Sequence, residues 1–106
     1  MLINEDKTQI NGNFSNSTGK IITIHQQDVV PCALDLLTDL VQSKTITLVA
    51  KGQSIPTAVA VANIVTENMM KGNSKIVDIV VDSEETHDNS GPPMVSIIKI
   101  TITKTN

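Results

Sequence analysis

Four polar side chains near the middle of the chain could contact phosphate groups. Gln26 and Gln27 follow one predicted strand, and Lys51 and Gln53 follow the next. Glutamine amides and lysine ammonium groups donate hydrogen bonds to phosphate oxygens, as backbone N–H groups also do. If the two strands are neighbours in one sheet, the four side chains share a surface. That surface is a candidate for weak nucleic-acid binding, and the alternative is an ordinary polar rim.

A cation site is the second chemical candidate. Asp82, Glu84, Glu85, His87 and Asp88 lie close together in sequence and could supply several oxygens to a hard cation. Their spacing is not that of an EF-hand loop, and an acidic hairpin tip is usually only solvated. We therefore predict no metal site here.

Zinc binding and catalysis have less support still. His25 and His87 are far apart in sequence, and Cys32 is the one cysteine. A position near a helix N-terminus can lower a thiol pKa, but a small buried core residue is the simpler interpretation of Cys32. The chain has no glycine-rich phosphate loop and no Ser/His/Asp constellation. We predict neither enzymatic activity nor a cofactor.

The charge balance is unfavourable for strong nucleic-acid binding. The 106 residues include eight lysines, no arginine and eleven acids, for a formal net charge of −3. Nucleic-acid binders normally have a basic balance or a clustered basic patch. The core must be aliphatic, because the chain has one Phe and neither Trp nor Tyr.

The length indicates a single domain with a polar extension. Residues 1–19 are rich in Asn, Ser, Thr and Gly and predict a disordered or loosely attached polar tail, which leaves residues 20–106 as the domain. The sequence begins without a signal-peptide pattern, and no apolar run approaches the roughly 20 residues of a membrane span. We expect an intracellular protein, cytoplasmic or nuclear, with no membrane partner.

The two candidate loops are positioned by predicted strands and helices. Residues 45–50 alternate apolar and polar side chains, which predicts a strand. Gly52 permits a tight turn, Ser54 and Pro56 suit the start of a helix, and Gly72 and Asn73 should end that helix.

Three further strands and one helix complete the domain. Strands are predicted over residues 20–25, 75–84 and 94–104, and a helix over residues 28–42. The order βαβαββ predicts an α+β fold, with a mixed four-stranded sheet and both helices on one face. The loop 86–93 is too long for a tight turn, so the last two strands should form an extended arm.

Apolar spacing predicts which side chains of two of these elements are buried. Val77, Ile79 and Val81 should lie on one side of the third strand. The apolar face of the first helix should consist of Val29, Val30, Ala33, Leu36, Leu37, Leu40 and Val41.

The second helix is apolar over most of its circumference, which predicts burial on two sides. One stripe at helical spacing contains Ile55, Ala58, Val59, Ala62, Val65 and Met69. Val61 and Ile64 fall outside this stripe. We therefore predict a homodimer with Val61, Ile64 and Val65 at its interface.

The run LVAKGQSIPTAVAVANIV resembles the signature of the Alba family, small dimeric DNA- and RNA-binding proteins of archaea and eukaryotes. The resemblance extends over residues 20–72 and resumes at VSIIKITITK in the last strand. It implies the family's βαβαββ fold, a dimer and a nucleic-acid partner. Paired subunits of eukaryotic ribonuclease P and MRP share this fold, so the resemblance does not single out chromatin.

The resemblance implies nucleic-acid contacts at Gln26, Gln27, Lys51, Gly52 and Gln53. Gln26 and Gln27 replace a pair of family lysines, and Gln53 replaces another basic residue. Lys51 stands at the family's arginine position, and Gly52 is retained. Further basic positions of the family are occupied here by Val49, Thr57, Thr66 and Asn68.

Two functions follow from these observations. The resemblance favours a nucleic-acid-binding protein that acts weakly and without sequence specificity on DNA, RNA or both. The loss of basic residues favours a dimeric interaction module, or a ribonucleoprotein subunit, that has lost most direct nucleic-acid binding. We prefer the first.

Overall fold

The computed structural model describes residues 19–85 and 94–105. The strands are β1 (Gly19–Thr23), β2 (Thr45–Lys51), β3 (Ser74–Glu85) and β4 (Met94–Lys104). The helices are α1 (Val29–Ser43) and α2 (Ile55–Ile64), and α2 continues into a π-helical turn, Val65–Met69. The order along the chain is the predicted βαβαββ, with bounds that differ by one or two residues. The predicted tail up to residue 18 and the arm tip, residues 86–93, lie outside the described residues.

The four strands form one mixed sheet in the order β1-β2-β4-β3. β1 and β2 are parallel, because α1 carries the chain back between them. β4 lies between β2 and β3 and is antiparallel to both. This confirms the predicted fold class, and it makes β1 and β3 the edge strands.

One face of the sheet is covered by both helices and is wholly aliphatic at its centre. Residues paired directly across two strands share a face, and the pairs here are Ile46↔Ile102, Leu48↔Ile100 and Ala50↔Ile98. All six side chains are buried, in one cluster with residues of α1, α2 and the π-helical turn: Leu36, Leu40, Ala58, Val61, Ala62 and Val65. We call this the covered face.

The opposite face, which we call the open face, has threonines at its centre. The Thr45 and Thr103 hydroxyls lie 2.7 Å apart, and those of Thr47 and Thr101 lie 3.2 Å apart. Both pairs join β2 to β4. Each pair therefore makes one hydrogen bond between the two central strands.

α1 begins and ends without side-chain capping. Asp28 occupies the N-cap position with extended backbone, but its side chain makes no capping hydrogen bond. At the other end Lys44 adopts the left-handed conformation, with φ of 67°. Its N–H donates to the Leu40 carbonyl oxygen at 2.8 Å, which closes the helix.

The predicted apolar face of α1 is correct in part. Ala33, Leu36 and Leu40 are buried, and Cys32 is buried beside them. The prediction was wrong for Val30 and Val41, which are 53% and 56% exposed. Leu34 is exposed as well, and it lies on the same side of the helix as Val30, four residues away. We call Val30, Leu34 and Val41 the outer stripe of α1.

α2 buries side chains that were expected at a dimer interface. Val61 and Val65 are both 0% exposed within the single chain, so they offer no surface to a second copy. A helix that is apolar on most sides does not reveal which side faces its own sheet, and this is why the residue choice was wrong. Ile64 is only half-buried, and Val59, expected in the core stripe, is 39% exposed. The dimer itself stays a prediction.

β3 contains a β-bulge near its start. The pairing moves from Ile76↔Ile102 to Asp78↔Thr101, which leaves Val77 as an extra residue. Beyond the bulge Ile79 and Val81 lie on the covered face, opposite Ile100 and Ile98. The predicted common side is confirmed for Ile79 and Val81, whereas Val77 has no partner on β4 and its side stays a prediction.

Candidate nucleic-acid interface

The two candidate loops leave the sheet at the same edge. β1 and β2 are parallel, so their carboxyl ends lie side by side. Just beyond β1, the Ile24 N–H still donates to the Val49 carbonyl oxygen at 2.8 Å. This bond holds the loop after β1 against the end of β2. We call Gln26, Gln27, Lys51, Gly52 and Gln53 the loop edge.

The glutamine side of the loop edge is exposed and locally organised. Both Gln26 and Gln27 are exposed. The Gln27 side-chain oxygen accepts a hydrogen bond from the His25 N–H at 3.0 Å. That bond uses the amide oxygen and leaves the NH₂ group as the donor that a phosphate would need.

The other side of the loop edge is a tight turn into α2. Gly52 has a φ of +54°, and a Cβ built there would meet no atom within 4 Å. Glycine is therefore favoured by the backbone conformation and not by lack of space. A short 3₁₀ turn, Gly52–Ser54, then leads into α2, whose first turn has no acidic residue and no side-chain cap. The amide groups at this helix end add a weakly positive surface to the loop edge.

Lys51, the one charged member of the loop edge, is paired with a carboxylate of the arm. Its Nζ lies 2.9 Å from Glu84 Oε2 and 3.5 Å from Glu84 Oε1. Both side chains are about half exposed, at 53% and 49%. Lys51 pairs with Ile97 on β4, and Glu84 pairs with Val95 on the same strand. The ion pair therefore crosses β4 on the open face.

Sequence reasoning missed this ion pair. It placed Glu84 beside a cation candidate and Lys51 at the phosphate surface, without connecting them. The connection requires β4 to lie between β2 and β3. Nothing in the local sequence of either residue signals that strand order.

Acids and lysines balance on the described part of the open face. The strand register places Lys51, Lys75 and Lys99 on the open face. The acids of that face all belong to β3: Asp78, Asp82 and Glu84. Three lysines against three carboxylates leave no net positive field for a phosphate backbone.

The remaining chemical candidates gain no support within residues 19–85 and 94–105. No group of three or more metal-ligating side chains occurs among them, and His87 and Asp88 lie outside that range. Cys32 is buried, and desolvation, with a smaller contribution from Asp35, raises the pKa of its thiol. The preferred interpretation of Cys32, a small buried core residue, is therefore confirmed. None of the described helices is long and apolar enough to cross a membrane.

Comparison with known proteins agrees with this architecture. The sequence profile of the Alba family matches residues 20–83, which is more than half of the chain. The fold is similar to that of Alba from Thermoplasma volcanium, at a TM-score of 0.71 and 27% identity. That similarity covers 80% of this chain and 100% of the other. No curated protein matches the chain. By fold, sequence profile and structural likeness together, this chain belongs to the Alba family.

Proposed function

We propose that this protein binds nucleic acid weakly and without sequence preference, as a dimer, through the loop edge. Nucleic-acid binding is typical of the Alba family. The observation that carries the proposal is the parallel pairing of β1 and β2. It brings two exposed loops and the N-terminal end of α2 to one edge of the sheet, where amides and one ammonium group can contact a phosphate backbone.

The charge of the loop edge limits the affinity. Lys51 is its one cation, and Lys20 is engaged with Asp39 of α1 at 2.8 Å. A dimer could neutralise on the order of two to four phosphates, against roughly 6–10 for a strong binder. Counterion release is then small, so we expect micromolar or weaker binding with a shallow dependence on salt.

Fluorescence anisotropy against labelled duplex DNA, single-stranded DNA and structured RNA tests the proposal across a salt series. The double variant Gln26→Lys with Gln27→Lys should bind more tightly, and Lys51→Ala should nearly abolish binding. Lys71→Ala is the matched control. It removes the same charge just beyond the π-helical turn that continues α2, at a distance of roughly 20 Å from the loop edge given 1.5 Å per residue. Equal losses from Lys51→Ala and Lys71→Ala would refute the loop edge, and nanomolar binding at physiological salt would refute the charge argument.

For the dimer, we propose an interface built on α2 and the outer part of β3. Ile79 and Val81 lie on the covered face but are 54% and 72% exposed. Val59 and Ile64 provide exposed or half-buried apolar surface on α2. A second copy could cover both regions by two-fold symmetry. Sedimentation of a monomer at high micromolar concentration would contradict this.

A dimeric interaction module is the second candidate function. The balanced charges of the open face and the outer stripe of α1 both favour it, since neither is needed for a phosphate surface. It would also account for the acidic partner of Lys51. The discriminating result is a stable dimer that binds no nucleic acid even after both glutamines are changed to lysine.

A further inference from the structure

The Lys51–Glu84 ion pair has two possible roles, a structural brace or a competitor for the ligand. An exposed ion pair contributes little to stability, because water and salt screen it and both side chains lose freedom in forming it. Both members are about half exposed, so this pair belongs to that class. The strands it spans are also held by the pairing of both β2 and β3 with β4. A brace is not needed there.

We infer that the Glu84 carboxylate occupies Lys51 in place of a phosphate and must be displaced before nucleic acid binds. This inference rests on the proposed function and assigns a regulation to the same site. A carboxylate oxygen at 2.9 Å from Nζ takes the position that a phosphate oxygen would take. Glu84 thus acts as an internal anion that sets the threshold for binding.

The charge of the pair explains why displacement is required. Lys51 and Glu84 together are neutral, so a phosphate that approaches the intact pair meets no net positive charge. Asp82 lies on the same face, directly across β4 from Lys51, and adds repulsion. Only when the Glu84 side chain turns away does Lys51 neutralise a phosphate and release a counterion.

The Glu84→Gln variant tests the inference, and Glu85→Gln is its matched control. Glu85 is the next residue of β3, is exposed and makes no ion pair with any described residue. Both variants change the net charge equally. In anisotropy titrations with a labelled DNA duplex, Glu84→Gln should tighten binding by about 2- to 5-fold per protomer beyond the effect of Glu85→Gln. It should also steepen the log–log salt dependence by up to about 0.9 per protomer.

A double-mutant cycle with Lys51→Gln separates competition from general repulsion, and it is carried out in the Gln26→Lys, Gln27→Lys background so that binding stays measurable without Lys51. If Glu84 acts through Lys51, the advantage of Glu84→Gln over Glu85→Gln should vanish when Lys51 is replaced. Two results would overturn the inference and leave the proposed function intact. One is that Glu84→Gln still binds the duplex more tightly than Glu85→Gln when Lys51 is replaced. The other is that the two glutamate variants bind with equal affinity.

The same glutamate variants are also titrated in the Gln26→Lys, Gln27→Lys background, where binding is expected to be stronger. If that background binds and Glu84→Gln again exceeds Glu85→Gln, the inference is supported. If neither the original protein nor this background binds any nucleic acid, the proposed function fails and the competition for phosphate fails with it. Thermal unfolding of every variant verifies that each one is folded.

Discussion

The two faces of the sheet differ in how tightly their side chains are packed. On the covered face, Leu48 and Ile100 are buried, directly paired and packed in one cluster with residues of both helices, so each constrains its neighbours. On the open face, Thr47 and Thr101 need only each other, and the charged residues around them meet water. The fold is therefore specified by one face, while the charge of the other can change without loss of the fold.

The largest expected effect is on dimer stability, when a charge is placed on one or the other face of the edge strand β3. Val81→Glu places a charge on the covered face where a second copy is proposed to pack, whereas Val80→Glu places the same charge on the open face. Loss of two buried valines should weaken the dimer by about 3–6 kcal/mol, at roughly 1.5–3 kcal/mol each. Sedimentation equilibrium measures both variants. Equal dissociation constants would show that the covered side of β3 is not in the interface.

The centre of the sheet gives a second comparison. Leu48→Ala should lower the free energy of unfolding by about 2–5 kcal/mol, because Leu48 is 0% exposed and its removal leaves a cavity. Thr47→Ala, one residue away on the open face, should cost only about 0.5–1.5 kcal/mol, the net worth of one hydrogen bond. Urea denaturation measures the loss in the free energy of unfolding for both variants. Similar losses would mean that the open face is also covered in solution.

A third change affects the backbone and belongs to neither face. Lys44→Gly should raise the free energy of unfolding by about 0.5–1 kcal/mol, because glycine adopts the left-handed conformation of this position without strain. Lys44→Ala removes the same charge but keeps a Cβ, so it controls for electrostatics. Stabilisation by alanine equal to that by glycine would assign the effect to charge.

The smallest expected effect reports on the buried side of α1. The folded state raises the pKa of the Cys32 thiol, so the unfolded chain loses this proton more readily. The thiol contributes its full share to the free energy of unfolding below the usual thiol pKa of about 8.5. That contribution is lost as the pH rises through the higher pKa of the folded state. Cys32→Ala should therefore show a slightly smaller loss of stability at alkaline pH than the original protein. Urea denaturation across that pH range measures it, and identical pH profiles would contradict the burial argument.

The fold could be predicted because its information is local and periodic. The alternation of Ile46, Leu48 and Ala50 in the sequence predicts both the strand and the side of it that is covered, and all three side chains are buried. The adjacency of the two loops that form the loop edge could be predicted for the same reason. Gln26 and Lys51 follow two strands that a helix connects, and these strands are paired in parallel.

The errors arose where the pattern is ambiguous or depends on distant pairing. Val61 is one apolar residue among many on α2, so periodicity could not decide whether it faces the sheet. The partner of Lys51 depends on the insertion of β4 between β2 and β3, which no local pattern encodes. Strand alternation also assumes an uninterrupted register, and the bulge at Val77 breaks it.

That bulge has an evolutionary consequence for the arm. Because side chains alternate, an extra residue in an unbroken register would reverse the side that every following residue of β3 occupies. A regular pairing that kept Val77 would turn Asp78 and Val80 towards the helices and Ile79 outward, and the bulge prevents this by leaving Val77 out of the pairing. Loss of the Val77 codon would remove the bulge and leave each later residue of the arm opposite its present partner. The bulge is thus a point at which β3 can change length by one codon without exchanging the acidic and the aliphatic sides of the arm.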